Sequence, residues 1–574
     1  MSKKYIIIFF FFVYVVFITA WSLDPSHPKI SGIFHDDGVY MCLGRSIVER
    51  GIYRDDHTPK PIQIAKYPPG TPLLCALSYK ITNSPEGAVT VIRIINIIFL
   101  VLGLIAFWIL IKQEDLSFPL KILIIGSLAI SPPILDYVRL SMSEIPFLSV
   151  TMLSILYMQK IETFKDRPKY GIILAILLFT CVLFRSIGIT LFIGAAIRLL
   201  TLSKKKTFAS CTVFFLILFG VLEVFLLHNS KPEQGFSDIT VYGLPYSQIF
   251  YHALSLYPKV LIYNFVQSIL FVSNYLIPLS LEILPLSKTI SWIILWIISV
   301  SIIVIIIIGF IRHIKIMDTL HYYLIFMVSV IIIWPFQPAR FYVPLLPLIY
   351  ILFFRGTSKL LRNNFLMILG VFILFSNAIS SFPSRLSQSI DKFTIEGKDF
   401  NLREIFEIGE RLERKLPKNS IIASTLDPIF GWHNRLIGVW GWTVEAVPFD
   451  LYSSDAKLLN FYISWNREWV YKEIEASREY FLKVFYNLGD PKIKHLNGVD
   501  IPPLLKEMEE SYEEKVIKEM KKLKVTHAII LSDNGQIFYE VLLSRLLYKL
   551  HKQGKAYPIM GSNSGLIQVW RLKL

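Results

Sequence analysis

The chain has 574 residues, of which 54% are apolar and only 18% charged, below the roughly 25% usual for soluble domains. That balance excludes a plain string of soluble domains and points to the bilayer. The net charge of +16 does not require nucleic acid, because much of the Lys and Arg lies in short loops between apolar runs, where it orients membrane proteins and meets anionic head groups.

Lys3 and Lys4 precede an apolar run to Leu23 that is long for a signal peptide and lacks a small-residue cleavage site, so it reads as an uncleaved first span. Apolar runs of about 17 to 25 residues, with some shorter ones accepted, mark about eleven spans. They lie near 5–23, 89–111, 119–135, 143–159, 169–184, 187–202, 208–227, 289–311, 319–336, 341–354 and 364–382. The 289–311 run carries no charge, and at about 1.5 Å per residue it crosses a hydrocarbon core of about 30 Å.

Basic loops set the orientation. Lys3 and Lys4, Lys112, the 160–169 group, Lys204 to Lys206, Arg312 with Lys315, and Arg355, Lys359 and Arg362 all fall on one side if residues 170–197 form a hairpin about Arg185. The N-terminus is then cytoplasmic. Two external regions are long, at about 24–87 and 229–288. The apolar stretch 260–281 within the second is read as helices lying on, or dipping into, the membrane surface, since a further span would turn the Arg312–Lys315 loop outward.

From Ser384 the charge rises and long apolar runs vanish. Short β-branched runs at 420–424, 528–531 and 566–570 predict strands, and 403–416, 503–523 and 539–550 predict amphipathic helices. The expected fold is therefore a polytopic α-helical membrane domain over 1–383 with an extracytoplasmic α/β domain over 384–574. Cys42, Cys75, Cys181 and Cys211 form no CxxC motif. A Cys42–Cys75 bridge would fit in the first external loop, but unpaired apolar fillers are the preferred reading.

The candidate chemistry lies at the external ends. Asp36-Asp37, followed by Tyr40, opens a helical stretch just after the first span. Paired acids there can serve as a general base or hold a divalent cation, and Asp also suits a helix N-cap. Lys66-Tyr67-Pro68-Pro69-Gly70 makes a turn that presents a cation to a phosphate or to lipid head groups. Arg139 precedes Ser143-Glu144, where Glu144 reads either as a first-turn acid or as a second acid facing the first. Arg185, and Arg340 in the Arg340-Phe341-Tyr342 run before Pro344, suit phosphate recognition or interfacial snorkelling. All map to one predicted face, where ionisable groups are costly unless paired or functional.

In order and placement these motifs resemble the GT-C superfamily of integral membrane glycosyltransferases, in the branch of protein O-mannosyltransferases and lipid A aminoarabinose transferase. The resemblance covers the order of spans, the large first loop and the external C-terminal domain. It implies transfer of a sugar from a polyprenyl-phosphate carrier to a lipid, glycan or protein acceptor, with inversion, at a bacterial or archaeal plasma membrane. It makes Asp36 the base, where the family often has Asp-Glu rather than Asp36-Asp37. Asp37 or Glu144 would position the acceptor or help hold a metal, and Lys66, Arg139, Arg185 and Arg340 would hold the departing phosphate. Tyr40, Tyr67 and Tyr342 accompany these anchors. Some family members use a divalent metal (Mg, Mn or Zn) and others none; Asp36, Asp37 and Glu144 would be its ligands. The rival class is a polyprenyl-lipid or solute transporter or flippase, for which Arg93 and Glu223 are the nearest intramembrane candidates. Trp432, Trp440 and Trp442 read as core aromatics rather than a sugar platform.

Overall fold

The protein is described from a computed structural model that covers residues 3–24, 29–32, 36–55, 57, 67–229, 259–278, 288–312, 319–334, 339–381, 393–395, 398–400, 402–424, 427–440, 467–489, 495–497, 513–514, 516–518, 520–531, 537–562 and 564–574. Each predicted span coincides with a helix. They are α1 (Lys3–Leu23), α4 (Pro85–Lys112), α5 (Phe118–Ala129), α7 (Glu144–Thr163), α8 (Pro168–Phe184), α9 (Ile189–Thr201), α10 (Lys205–Asn229), α12 (Lys288–Arg312), α13 (Thr319–Ile333), α14 (Leu346–Leu360) and α15 (Asn363–Ser381). Among the described residues, six helices are long and apolar enough to cross a bilayer, and four further apolar helices are shorter. α7 is the more polar exception, for a physical reason: it is enclosed by protein, not lipid. Ser149 and Ser154 on it return their hydroxyls to the carbonyls of Ile145 and Val150, at 2.9 and 2.7 Å.

Two spans differ in form from the expectation. The run at 119–135 stops at Ala129, and Pro132-Pro133, which cannot continue the hydrogen-bond ladder, opens a separate short helix α6 (Pro132–Tyr137). The run at 341–354 begins as a 3₁₀ turn, Ala339–Leu345, before α14.

The stretch about Arg185 is a hairpin. Arg185 is extended, at φ −150° and ψ 129°, and is followed by the 3₁₀ turn Ser186–Gly188. At the other end Lys204 Nζ donates to Phe164 O at 2.5 Å, and Asp166 accepts the Thr207 amide at 2.8 Å. The chain therefore leaves and returns at the same end.

The stretch at 260–281 forms one helix, α11 (Lys259–Leu276). Asn264 near its start donates to Trp334 O at 2.5 Å, past the end of α13, and Tyr342 in the 3₁₀ turn donates to Ser268. At its far end Ser376, late in α15, donates to Pro278 O at 2.9 Å, and between them Ser299 of α12 meets Ser273 at 3.0 Å. These contacts run from the end of α13 through the middle of α12 to the late part of α15.

The first long loop holds α2 (Asp36–Arg50) and α3 (Gly70–Thr82), packed on each other. The C-terminal domain carries a hairpin of β1 (Phe393–Ile395) and β2 (Lys398–Phe400) and a five-stranded mixed sheet. That sheet has the order β4 (Ile437–Trp440), β3 (Ile421–Ser424), β5 (His527–Leu531), β7 (Ile567–Leu572), β6 (Ala556–Gly561). β3 is parallel to β4 and β5, and β7 is antiparallel to β5 and β6. The period of two sorts its faces. Ala423, Ala528, Ile530 and Trp570 pack with α18 (Arg467–Phe485) and α19 (Ile537–Lys552). Ile422, Ile529, Leu531 and Val569 face α16 (Leu402–Lys415) and α17 (Asp427–Asn434), in a core continuous with the membrane domain. The strands predicted at 420–424, 528–531 and 566–570 are β3, β5 and β7; most of 503–523 lies outside the described residues.

Candidate active site

Asp36 is the first residue of α2, where the positive end of the helix favours a carboxylate. Its Oδ1 accepts the Tyr67 hydroxyl, and its Oδ2 lies 2.5 Å from Arg340 Nη2. The 3₁₀ turn that carries Arg340 also brings its Nε to 3.9 Å from Glu144 Oε1. Glu144 opens α7, and Arg185, held extended between α8 and the following turn, donates to the same oxygen and to Ser143 Oγ at 3.3 Å. Arg185 also lies over the Phe341 ring, 4.4 Å from its centroid. The four groups form an alternating chain, Asp36–Arg340–Glu144–Arg185, with no net charge.

Exposure is graded along this chain. Asp36 is 14% and Arg340 32% exposed, whereas Glu144 is fully buried at 0%. The second oxygen of Glu144 has no hydrogen-bond partner among the described residues. Tyr40, one helical turn after Asp36, is buried with its ring edge-on to Tyr67 at 5.2 Å. Burial, reinforced by the Asp36 charge, pushes its hydroxyl well above the usual tyrosine range.

The other candidates have different surroundings. Asp37 is buried and turned the other way, accepting the Gly32 amide at 2.7 Å and the Ser31 hydroxyl at 3.4 Å. Gly32 has φ +107°, and any side chain there would run into Ile429 of α17. The Ser31 amide donates to His433 Nε2 at 3.3 Å, so Asp37 helps fasten the first loop to the C-terminal domain. Arg139 is buried, 3.2 Å from Asp136 and 5.7 Å from the Trp21 ring centroid, while Arg93 donates to its carbonyl at 3.1 Å. Tyr342 bonds Ser268, behind Arg340. Lys66 lies outside the described residues. All four cysteines are free and buried, so the Cys42–Cys75 bridge does not form. Trp432 is a core residue between Arg45 and Tyr79; the side chain of Trp440 and all of Trp442 lie outside the described residues.

The ion chain does not fit a metal at Asp36, Asp37 and Glu144. Asp37 faces away, and the Arg340 guanidinium stands between the other two carboxylates. A different group does have metal-ligand character: Cys42, Asp55 and His57, whose donor atoms lie within 4.8 Å of one another. In the sequence its signal is the Asp-x-His spacing at 55–57, which no motif at the external ends includes.

An apolar groove of about 440 Å³ opens beside the site, lined by residues that include Ile47, Tyr53, Pro69, Leu73, Leu222 and Phe225. The Tyr53 hydroxyl donates to Tyr67 O at 2.7 Å, which ties the groove wall to the residue that holds Asp36.

No protein-family model matches the chain, and no curated protein matches it. Solved structures do. The archaeal oligosaccharyltransferase AglB from Archaeoglobus fulgidus, in complex with an inhibitory peptide and a dolichol-phosphate, is 13% identical, with 98% of this chain and 74% of that chain covered and a TM-score of 0.50. An Archaeoglobus fulgidus oligosaccharyltransferase tethered with an acceptor peptide is 12% identical, with 95% and 72% covered and a TM-score of 0.51. ArnT from Cupriavidus metallidurans bound to undecaprenyl phosphate is 12% identical, with 78% and 89% covered and a TM-score of 0.41. The likeness to the archaeal enzyme shows that this chain shares its fold: a polytopic helical membrane protein with a C-terminal α/β domain.

Proposed function

We propose that this protein is a membrane glycosyltransferase that moves a sugar from a polyprenyl-phosphate carrier to a lipid, glycan or protein acceptor on the outer face of a plasma membrane. The observation that carries the reading is the ion chain: a carboxylate at a helix N-terminus that keeps a little exposure, tied through Arg340 to a second, buried carboxylate that also holds Arg185. Two arginines beside a carboxylate suit a reaction that releases a phosphate and takes up a proton. The archaeal neighbour binds a dolichol-phosphate, and the apolar groove next to Tyr67 suits the chain of such a lipid.

The arrangement gives the arginines two successive partners. Without donor, Arg340 is the partner of Asp36. A donor phosphate competes for Arg340 and Arg185, and Asp36 is then left as the base. The acceptor oxygen forms its bond to the anomeric carbon as the bond from that carbon to the phosphate oxygen breaks, with inversion. The electron pair leaves with the polyprenyl phosphate, which the arginines stabilise, and the acceptor proton ends on Asp36. Glu144, fixed at the start of α7, keeps both arginines in place. No step is routed through a metal. The N-terminus is cytoplasmic and the C-terminal domain external in this reading.

The test is a donor assay. Purified protein in nanodiscs is incubated with radiolabelled polyprenyl-phosphate sugars and a membrane-lipid extract, beside Asp36→Asn. Label leaving the carrier with wild type alone is the expected result. Equal transfer by the folded variant would remove Asp36 from the mechanism.

A further inference from the structure

A second cluster of reactive side chains shares no residue with the ion chain. Cys42 lies on α2, and Asp55 and His57 lie in the link that follows that helix. They are 0%, 1% and 3% exposed. His57 Nδ1 lies against Asp55 Oδ1, which sets a nitrogen and an oxygen donor side by side. His57 is pressed against Gly431 of α17, where a Cβ would collide with the ring. Arg45, three residues after Cys42, reaches the same helix and donates to the carbonyls of Gly431 and Trp432 at 3.1 and 3.3 Å.

Two readings compete for this cluster: a hydrogen-bonded Cys–His–Asp staple, or a metal site. The donor set decides between them. A thiolate and a carboxylate carry two negative charges, and with a neutral imidazole they cancel the charge of a divalent ion, so Arg45 close by meets a neutral site. Hard cations such as Mg²⁺ and Ca²⁺ avoid sulfur, whereas zinc takes sulfur, nitrogen and oxygen together. Burial also leaves the thiol without a path for a bulky substrate, which argues against a nucleophile.

We infer that Cys42, Asp55 and His57 form a structural zinc site that fastens the link after α2 against α17 of the C-terminal domain. The fourth position of a tetrahedral ion falls to water or to the second oxygen of Asp55. Binding orders a stretch of chain that has little secondary structure of its own, and the binding free energy becomes folding free energy. The site stands independently of the transfer reaction proposed above.

The test is the metal content of the full-length protein purified in detergent without chelator, measured by mass spectrometry for wild type, Cys42→Ser, His57→Gln and Asp36→Asn. Wild type and Asp36→Asn are expected to hold about one zinc per chain, and the two ligand variants less than about a tenth of that, given the 10- to 100-fold affinity losses that follow even outer-shell changes. If a ligand variant fails to fold, cobalt exchanged into the wild-type protein serves instead, because a thiolate-to-cobalt charge-transfer band requires a cysteine ligand. Wild-type protein that holds no zinc and shows no such band overturns the inference and leaves the staple. So does zinc retained in both ligand variants. Zinc lost from Asp36→Asn alone moves the metal to the ion chain.

Discussion

Asp36 and Asp37 are neighbours in sequence with opposite duties, because successive helical residues point about 100° apart. Asp36 shares a face with Tyr40, four residues on, and reaches Tyr67 and Arg340; Asp37 points back to the 31–32 backbone. Their substitutions should therefore separate cleanly. Asp36→Asn is expected to lower transfer at least about 10³-fold, the order of a lost general base, with thermal unfolding unchanged. Asp37→Ala leaves a buried amide and hydroxyl unsatisfied, so it is expected to cost about 1–3 kcal/mol of stability while folded protein keeps its turnover. Reversed results would exchange the two roles. Residue types and external placement made Asp36, Glu144, Arg185 and Arg340 legible in the sequence. Their pairing was not, since it joins positions up to 304 residues apart. Nor could the sequence show that Arg139 spends its charge on Asp136, because i,i+3 spacing becomes contact only once the local turn is known.

Among the elements, the spans were legible because lipid demands apolar runs, and the hairpin about Arg185 because the later basic loops demand its parity. The strands β4 and β6 and the helix α18 went unread. β4 is four residues long, and the polar face of α18 masks its buried Tyr480 and Phe481. Two contacts at this scale make predictions. α12 and α14 approach backbone to backbone, since a Cβ at Gly356 would meet the Ile305 carbonyl and one at Gly309 the Leu352 carbonyl. Gly356→Val is expected to drop the detergent melting temperature sharply, whereas Gly220→Val, with nothing within 4 Å, changes it little. Equal effects would mean the close approach contributes nothing. The second contact is Ser31 to His433. Burial, with Arg45 adding, pushes the His433 imidazole down to about 4, so it is neutral when folded. Its ordinary value is higher, so the unfolded chain binds more protons between about pH 4 and 6.5, and stability must fall as pH drops through that window. His433→Gln should flatten the pH dependence of unfolding there; an unchanged profile would exclude this histidine as its source.

At the scale of the molecule, the polytopic helical domain followed by an α/β domain was legible from the order of elements, while the way the C-terminal domain is tied back onto the first loop was not. One sheet face, through α16 and α17, shares a core with the membrane domain, and Arg45, Glu49 and Tyr79 of the first loop all meet α17 or Arg435 just after it. The ion chain and the C-terminal domain must therefore lie on the same side of the membrane, whichever side that is. The basic loops choose the side. Lys204, Lys205 and Lys206 lie at the opposite end of the α8–α9 hairpin from Arg185, and so opposite the ion chain. The four native cysteines are buried and provide a silent background for labelling. Arg411→Cys, on the exposed face of α16, is expected to react with an impermeant maleimide on intact cells, and Lys205→Cys only after lysis. The reverse pattern would place Asp36, Arg340 and the groove on the cytoplasmic face, and the donor would then have to be drawn from the inner leaflet. Labelling of both sites on intact cells would break the argument at an earlier step, since the α8–α9 hairpin would no longer separate the two sides.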